Sequence, residues 1–252
     1  MYKRQVFGHG ALCISWSGRC LLSNFFTNGR RQSNKGECIQ ACRFKYSVVE
    51  ESRPGQYWPV EEDEHGTYVF NSKDLCMVDN IKDLIEGGAS SLKIEGRMKS
   101  VYYVAAVVAA YRKAIDAYYE ERENYKVRPE WREELEKVSH RPYTTAFAFQ
   151  NPDKTAQEYD HSQPEQPYDF VGLILETKEE GKTFKVQQRN HFKVGEVLEY
   201  LTPKGDVGQM TVGSLVNSEG ETVDKAPHPL EELTLTTDAP LLPYTILRRR
   251  AK

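Results

Sequence analysis

Ser91-Leu92-Lys93-Ile94-Glu95-Gly96-Arg97-Met98-Lys99-Ser100 runs straight into Val101-Tyr102-Tyr103-Val104-Ala105-Ala106-Val107-Val108, and this passage decides the fold class. The first four residues are a short apolar strand, and Ser100 is placed to cap a long helix from Val101 to about Arg122. Val104, Val107, Val108, Tyr111, Ala114, Ile115 and Tyr118 recur at helical spacing and predict a broad apolar face packed on a sheet. Just upstream, Ile81, Leu84 and Ile85 mark a short amphipathic helix that ends at Gly87-Gly88. Farther back, Tyr68-Val69-Phe70 is strand-like, and Val6-Phe7 and Ala11-Leu12-Cys13-Ile14 are short apolar stretches separated by Gly8 and Gly10. Alternating strands and helices define an α/β segment. It holds only about three strand–helix steps, whereas a complete (β/α)8 barrel takes about 250 residues.

Downstream the pattern changes twice. From Asn124 to Asp169 the chain is polar and holds Pro129, Pro142, Pro152, Pro164 and Pro167, which reads as a connector carrying one short helix near Pro129 to Val138. From Tyr168 onward the hydrophobic period becomes two, as in Thr183-Phe-Lys-Val-Gln and Glu232-Leu-Thr-Leu-Thr, with Gly181, Gly195, Gly205 and Gly220 between the runs. That is the signature of a small all-β barrel or sandwich.

The 252 residues are 39% hydrophobic and 28% charged, a globular composition. The longest apolar run, around Val104, is far short of the roughly 20 residues that a spanning helix needs, so no membrane partner is expected. No apolar leader follows Met1, which places the protein in the cytoplasm as an expectation. A net charge of -3 argues against wholesale coating of nucleic acid. Locally the balance differs: Val6 to Tyr46 carries +5, and Glu50 to Glu64 carries -5. All five cysteines, Cys13, Cys20, Cys38, Cys42 and Cys76, fall in the first 76 residues. An odd count without a secretion signal disfavours a disulfide framework and leaves metal, catalysis or coincidence. Their spacing matches neither the paired Cys-x2-Cys of zinc ribbons nor the ferredoxin patterns.

His9-Gly-Ala-Leu-Cys-Ile-Ser-Trp-Ser-Gly-Arg-Cys-Leu-Leu-Ser23, then Asn34-Lys-Gly-Glu-Cys-Ile-Gln-Ala-Cys-Arg43, closely resembles the signature of the peptidase U32 family. Ser72-Lys-Asp-Leu-Cys76, the passage Ser91 to Ser100, and Val138-Ser-His-Arg-Pro-Tyr-Thr-Thr145 continue the likeness over nearly the whole chain from Val6. The resemblance implies an oxygen-independent hydroxylase that carries a [4Fe–4S] cluster and takes its hydroxyl group from prephenate. The segment around His140 and the C-terminal β part are most similar to the branch that hydroxylates the wobble uridine of tRNA, so tRNA, prephenate and a homologous partner subunit are the expected partners. By the same resemblance Cys13, Cys20, Cys38 and Cys76 ligate the cluster, and Cys42 is an alternate ligand. The implied architecture is the C-terminal half of a (β/α)8-like barrel over 6–123, a linker over 124–168 and a small all-β barrel domain over 169–252. Residues 1–5 read as a non-native leader of an N-terminally truncated frame.

The residues themselves offer further candidates. Lys93, Glu95 and Arg97 leave the C-terminal end of a strand, the edge where such barrels place their chemistry. Arg97 has the fork that a dicarboxylate requires, Glu95 can orient it or move a proton, and His9 is a second acid–base candidate. Arg30, Arg31, Arg43 and Lys45 are candidate RNA-phosphate contacts, with Tyr46 or Trp16 to stack a base. Arg248-Arg249-Arg250 with Lys252 reads as a basic tail. Two other readings stand beside the hydroxylase. One is a U32 collagenase-like peptidase, cysteine- or metal-dependent, for which the sequence offers neither His-Glu-x-x-His nor Gly-x-Ser-x-Gly. The other is a non-catalytic RNA-binding module.

Overall fold

The computed structural model describes residues 4–13, 20–44, 46–49, 51–52, 54–55, 58–59, 73–149, 164–178 and 182–251. In chain order the first part runs β1 (Gln5–Ala11), α1 (Leu22–Phe26), β2 (Ser47–Val48), β3 (Trp58–Pro59), β4 (Asp74–Cys76), α2 (Ile81–Glu86), β5 (Ser91–Ile94), α3 (Val101–Glu120), α4 (Pro129–Glu136) and β6 (Tyr143–Thr144). Then follow β7 (Tyr168–Thr177), β8 (Thr183–Gln188), β9 (Phe192–Lys193), β10 (Val197–Leu201), β11 (Val207–Thr211), β12 (Leu215–Val216), β13 (Thr222–Val223), β14 (Lys225–Ala226), β15 (Glu232–Thr236) and β16 (Ile246–Arg250). The chain forms two compact units, one of residues 1–6, 78–139 and 165–252, the other of residues 7–77 and 140–164. These units cut across the segments 6–123, 124–168 and 169–252 of the sequence.

In the first unit the expected elements form where local signals place them. The Ser100 hydroxyl accepts the Tyr103 N–H at 3.2 Å and starts α3, and Pro129 occupies the first turn of α4, where its missing N–H costs nothing. Arg4 and Gln5, within the expected leader, hydrogen-bond Ser90 and Ser91. The buried face of α3 differs from the expected one. Val107, Tyr111, Ala114 and Tyr118 are buried as expected, joined by Tyr102, Tyr103, Ala106, Ala110 and Ala117, while Val104 and Val108 stay exposed. The reason is the neighbour: α3 packs on α4, where Trp131 and Leu135 are buried, and Tyr102 meets Phe170 of β7 with ring centroids 5.9 Å apart. The Val108 side is left beside Leu92, Ile94 and Ile115, lining an open groove of about 340 Å³.

The C-terminal strands form an eight-stranded antiparallel sheet in the order β11-β10-β16-β7-β8-β15-β12-β13, with β14 and β9 paired separately. Alternate residues point into one core, including Ile174, Phe184, Val186, Leu198, Leu235 and Leu247. Just past β11 the sheet curls round, because Gly213 N donates to Thr236 O at 2.9 Å and Thr236 N donates to Ser214 O at 3.1 Å. A Cβ on Gly213 would lie 2.8 Å from the Thr236 carbonyl oxygen, so this close approach requires glycine.

The basic tail expected at Arg248-Arg249-Arg250 is corrected by the same sheet. Arg248 is fully buried, its Nε donating to Glu199 Oε1 at 2.6 Å and its Nη2 to both Glu134 carboxylate oxygens at 2.9 and 2.7 Å. Tyr102 and Tyr168 put ring faces 5.6 and 5.7 Å from its guanidinium carbon, and Lys137 Nζ donates to both glutamates. Burial works against the Arg248 charge, but Tyr102, Glu134 and Glu199 outweigh it and hold the pKa above the ordinary value. Arg249 pairs with Asp169 and Glu196. Two of the three arginines are therefore structural.

β1, most of which lies in the second unit, continues unbroken across Gly8 and Gly10, the two glycines that separate short apolar stretches in the sequence. It pairs with β4 antiparallel, His9 opposite Cys76 and Ala11 opposite Asp74, and β4 pairs with β6 in parallel. Among the described residues the parallel ring of a (β/α)8 barrel is not present. Parallel neighbours need a crossover of a dozen or more residues, usually a helix. The helices among the described residues between β1 and β4 are only the five-residue α1 and two single 3-10 turns, beside the short β2–β3 pair. The strand expected at Tyr68 to Phe70 lies outside the described residues.

Candidate functional site

The cysteine segment is built on α1. Cys20 precedes this helix, and the fully enclosed Ser23 hydroxyl on it accepts the Ile39 N–H at 3.1 Å, which ties the Cys38–Cys42 loop to the helix. Within that loop Gln40 adopts φ 57°, the left-handed region, and its N–H points at Cys38 Sγ at 3.3 Å. A non-glycine residue held there costs about 1–2 kcal/mol and persists where its surroundings enforce it. Here the enforcement is visible on both sides, since Tyr46 Oη donates to Ala41 O at 2.6 Å as Ser23 holds Ile39. Burial pushes the Tyr46 phenol up, and the charge of a Cys42 thiolate adds to it.

None of the five cysteines is in a disulfide. Cys76 is buried, Cys20, Cys38 and Cys42 are half-buried, and Cys13 is exposed. In kind this donor set fits a thiolate-bound iron–sulfur cluster, and the N–H···S contact at Cys38 is the sort of hydrogen bond that tunes such sulfurs. In position the set is not gathered: among the described residues no three His, Cys, Asp or Glu side chains converge as metal ligands.

A second group lies around β4. His9 is fully buried, and its ring lies 5.4 Å from that of Tyr143. Tyr143 stacks on His140 at 4.6 Å with 14° between the planes. His140 Nδ1 is 2.8 Å from the Arg141 carbonyl oxygen, which places its proton on Nδ1. Asp74, with no exposed surface, accepts the Arg141 N–H on Oδ2 at 3.1 Å. Its other oxygen, Oδ1, has no hydrogen-bond partner among the described residues and can receive a proton or a donor group. Of this group, sequence reasoning singled out His9 and Cys76 and assigned no role to Asp74, His140, Arg141 or Tyr143. One signal was present: an aspartate leading into Leu75-Cys76-Met77-Val78 is an acid heading into a core. His9 and Cys76 face each other across two strands, yet both are buried, and a peptide-cleaving nucleophile must reach its substrate.

The remaining candidates separate by unit. Lys93, Glu95 and Arg97 belong to the first, where Lys93 and Arg97 are exposed and Glu95 Oε1 accepts the Arg97 backbone N–H at 3.0 Å. That contact fixes the carboxylate against the turn rather than against the guanidinium. Arg30 and Arg31 belong to the second and are exposed, Arg30 Nε donating to Thr27 O at 3.2 Å. Tyr46 follows the Cys38–Cys42 loop, with Phe26 and Phe44 as ring neighbours at 6.1 and 6.5 Å. Lys45, Trp16 and the Arg43 side chain lie outside the described residues.

A cysteine-bearing loop on a mixed α/β unit, joined in one chain to a large antiparallel sheet, defines a class of thiol-bearing two-part proteins. The sequence profile of Peptidase family U32 matches residues 2–158, and that of the Peptidase family U32 C-terminal domain matches residues 166–248. The chain belongs to peptidase family U32. It is 39% identical over 245 residues to tRNA hydroxylation protein P1 of Bacillus subtilis (strain 168), which covers 97% of this chain and 57% of that protein. It is 34% identical to tRNA hydroxylation protein P of Escherichia coli (strain K12), over 88% of this chain and 56% of that one. The 23S rRNA 5-hydroxycytidine C2501 synthase of Escherichia coli (strain K12) is 32% identical over 88% of this chain and 31% of its own length. The chain thus spans about half the length of the tRNA-hydroxylation relatives it matches. No helix among the described residues is long and apolar enough to cross a membrane.

Proposed function

We propose that this chain is the cysteine-bearing and C-terminal part of an RNA-hydroxylating enzyme, acting on the wobble uridine of tRNA with prephenate as hydroxyl donor. The observation that carries this reading is the likeness, along 97% of the chain, to a protein named for tRNA hydroxylation. The five cysteines outside any disulfide support it, because an oxygen-independent oxidation needs a redox centre and this donor set suits one. Cys13, Cys20, Cys38 and Cys76 are the thiols that would hold a [4Fe–4S] cluster, with Cys42 as alternate, and a bound cluster supplies one-electron chemistry. In this reading exposed Arg97 receives a carboxylate of prephenate through its guanidinium fork, and Lys93 adds positive charge. His9 and Asp74 hold or pass a proton inside the second unit, and Arg30, Arg31, Arg43, Lys45 and Tyr46 contact RNA. A homologous partner subunit and a cytoplasmic setting complete the reading.

The test is made with the intact gene in a strain deleted for it. Wobble-position 5-hydroxyuridine-type nucleosides, measured by mass spectrometry of digested tRNA, should return with the wild-type gene and fall at least tenfold with Cys38→Ala or Cys76→Ala. Anaerobically purified protein should contain about four iron and four sulfide per chain, the stoichiometry of a [4Fe–4S] centre. Wild-type levels of the nucleosides in the deletion strain would sink the proposal, as would an iron-free protein that restores them.

A further inference from the structure

Four aromatic rings line one surface of the second unit. Phe25 and Phe26 project from α1 with 76% and 47% of their surface exposed, and Phe44 is 49% exposed. Their centroids run in series, Phe25 to Phe26 at 5.5 Å, Phe26 to Tyr46 at 6.1 Å and Tyr46 to Phe44 at 6.5 Å. Rings of this size normally dominate cores, so three left open together mark a binding surface rather than chance exposure. The last residues of α1 turn directly into a basic loop: Gly29 N donates to Asn24 O at 2.8 Å and Arg31 N to Thr27 Oγ1 at 2.9 Å, folding Arg30 and Arg31 back onto the end of the helix. Among the described residues no carboxylate pairs with Arg30, Arg31 or Lys35. The one acid of this segment, Glu37, is occupied by the Gln32 N–H at 3.0 Å.

We propose that Phe25, Phe26, Phe44 and Tyr46 form a stacking platform for unpaired nucleobases of a single-stranded RNA segment, whose phosphates are met by Arg30 and Arg31. Every base offers a π-face, so a row of open rings beside uncompensated arginines suits a single strand, whereas a duplex keeps its bases stacked inside. The platform is bolted to the cysteine loop, through Ser23 to Ile39 and through Tyr46 to Ala41, so a base on it is held by the same segment that carries Cys38 and Cys42. This inference rests on the reading of the protein as RNA-modifying, and it names the surface and the state of the RNA.

The experiment measures fluorescence anisotropy of the whole chain with a labelled twelve-residue oligouridylate, with an RNA duplex of equal length, and with vesicles of phosphatidylcholine and phosphatidylglycerol. The wild-type chain should bind the single strand more tightly than the duplex. Phe25→Ala and Phe26→Ala should each weaken that binding by roughly 5- to 100-fold, the range for one stacked base, while Phe25→Trp restores it. Arg30→Ala and Arg31→Ala should each lower the slope of log affinity against log salt by about 0.7. Both phenylalanines are exposed, so unchanged circular dichroism separates lost stacking from lost folding. Equal affinity for duplex, alanine variants that bind as wild type, or a phenylalanine-dependent preference for the vesicles would each overturn the platform. If those outcomes accompany intact tRNA hydroxylation in cells carrying the same variants, the platform alone has failed. If the deletion strain keeps its hydroxylated nucleosides, the RNA-modifying reading has failed with it.

Discussion

Gln40 shows how a single backbone conformation reveals purpose. Glutamine has no intrinsic preference for φ 57°, yet that geometry turns the Gln40 N–H onto Cys38 Sγ. Glycine adopts the same conformation freely and loses more entropy on folding, and the two effects partly offset. Gln40→Gly should therefore raise stability by about 0.5–1 kcal/mol, and Gln40→Val should lower it by about 1–3 kcal/mol, since β-branching makes this region a true outlier. Thermal unfolding of the two variants measures both signs. Neither the conformation nor the N–H···S contact was legible in the sequence, because Cys-x3-Cys spacing says nothing of how the residues between are turned. Asp74 was legible in part: a carboxylate heading into an apolar strand announces burial, but only the arrival of Arg141, 67 residues farther along the chain, shows what it holds.

At the scale of elements, the joining of α4 to the sheet strand β16 is governed by charge. Arg248 and Lys137 face Glu134 and Glu199, two cations and two anions enclosed together. Removing one member of such a buried set strands the others and typically costs about 3–5 kcal/mol. Arg248→Ala should show that loss in urea unfolding, while Arg250→Ala, two residues on and exposed, should change stability by less than about 0.5 kcal/mol. Equal effects of the two would mean that the buried set contributes nothing. The three arginines are identical in the sequence, and strand alternation alone would have placed Arg248 and Arg250 on one face. Both lie beyond the register shift between Leu247 and Arg248 against β7, in continuous pairing with Phe170 and Tyr168, and what separates them is that Glu134 of α4 meets Arg248, while Arg250 ends the strand exposed.

Across the whole molecule, buried tyrosine links stability to pH. Burial pushes the Tyr102 phenol well above its ordinary value of 10, more strongly than nearby Arg248 pulls it down. The unfolded chain then loses this proton near pH 10 while the folded chain keeps it. The contribution is fully present below pH 10 and is lost as pH rises beyond it, because there the folded state binds more protons than the unfolded. Stability should fall between pH 9.5 and 11, and Tyr102→Phe should flatten that slope, by up to one proton's worth or about 1.4 kcal/mol per pH unit. An unchanged slope in denaturant titrations across this range would refute the assignment.

What the sequence by itself determined was local or cumulative. Ser100 and the apolar period defined β5 and α3, period-two runs defined the C-terminal strands, and the long cysteine-bearing motif defined the family. These signals act within a few residues or add along the chain, so they need no partner to be read. The tertiary structure alone decided which side of α3 is buried, that β1 and β4 run antiparallel, that Arg248 is enclosed, and that His9, Asp74, His140 and Tyr143 share one neighbourhood. Each depends on which distant segments meet, and a side chain's burial, charge environment and chemistry are properties of that meeting rather than of its place in the sequence.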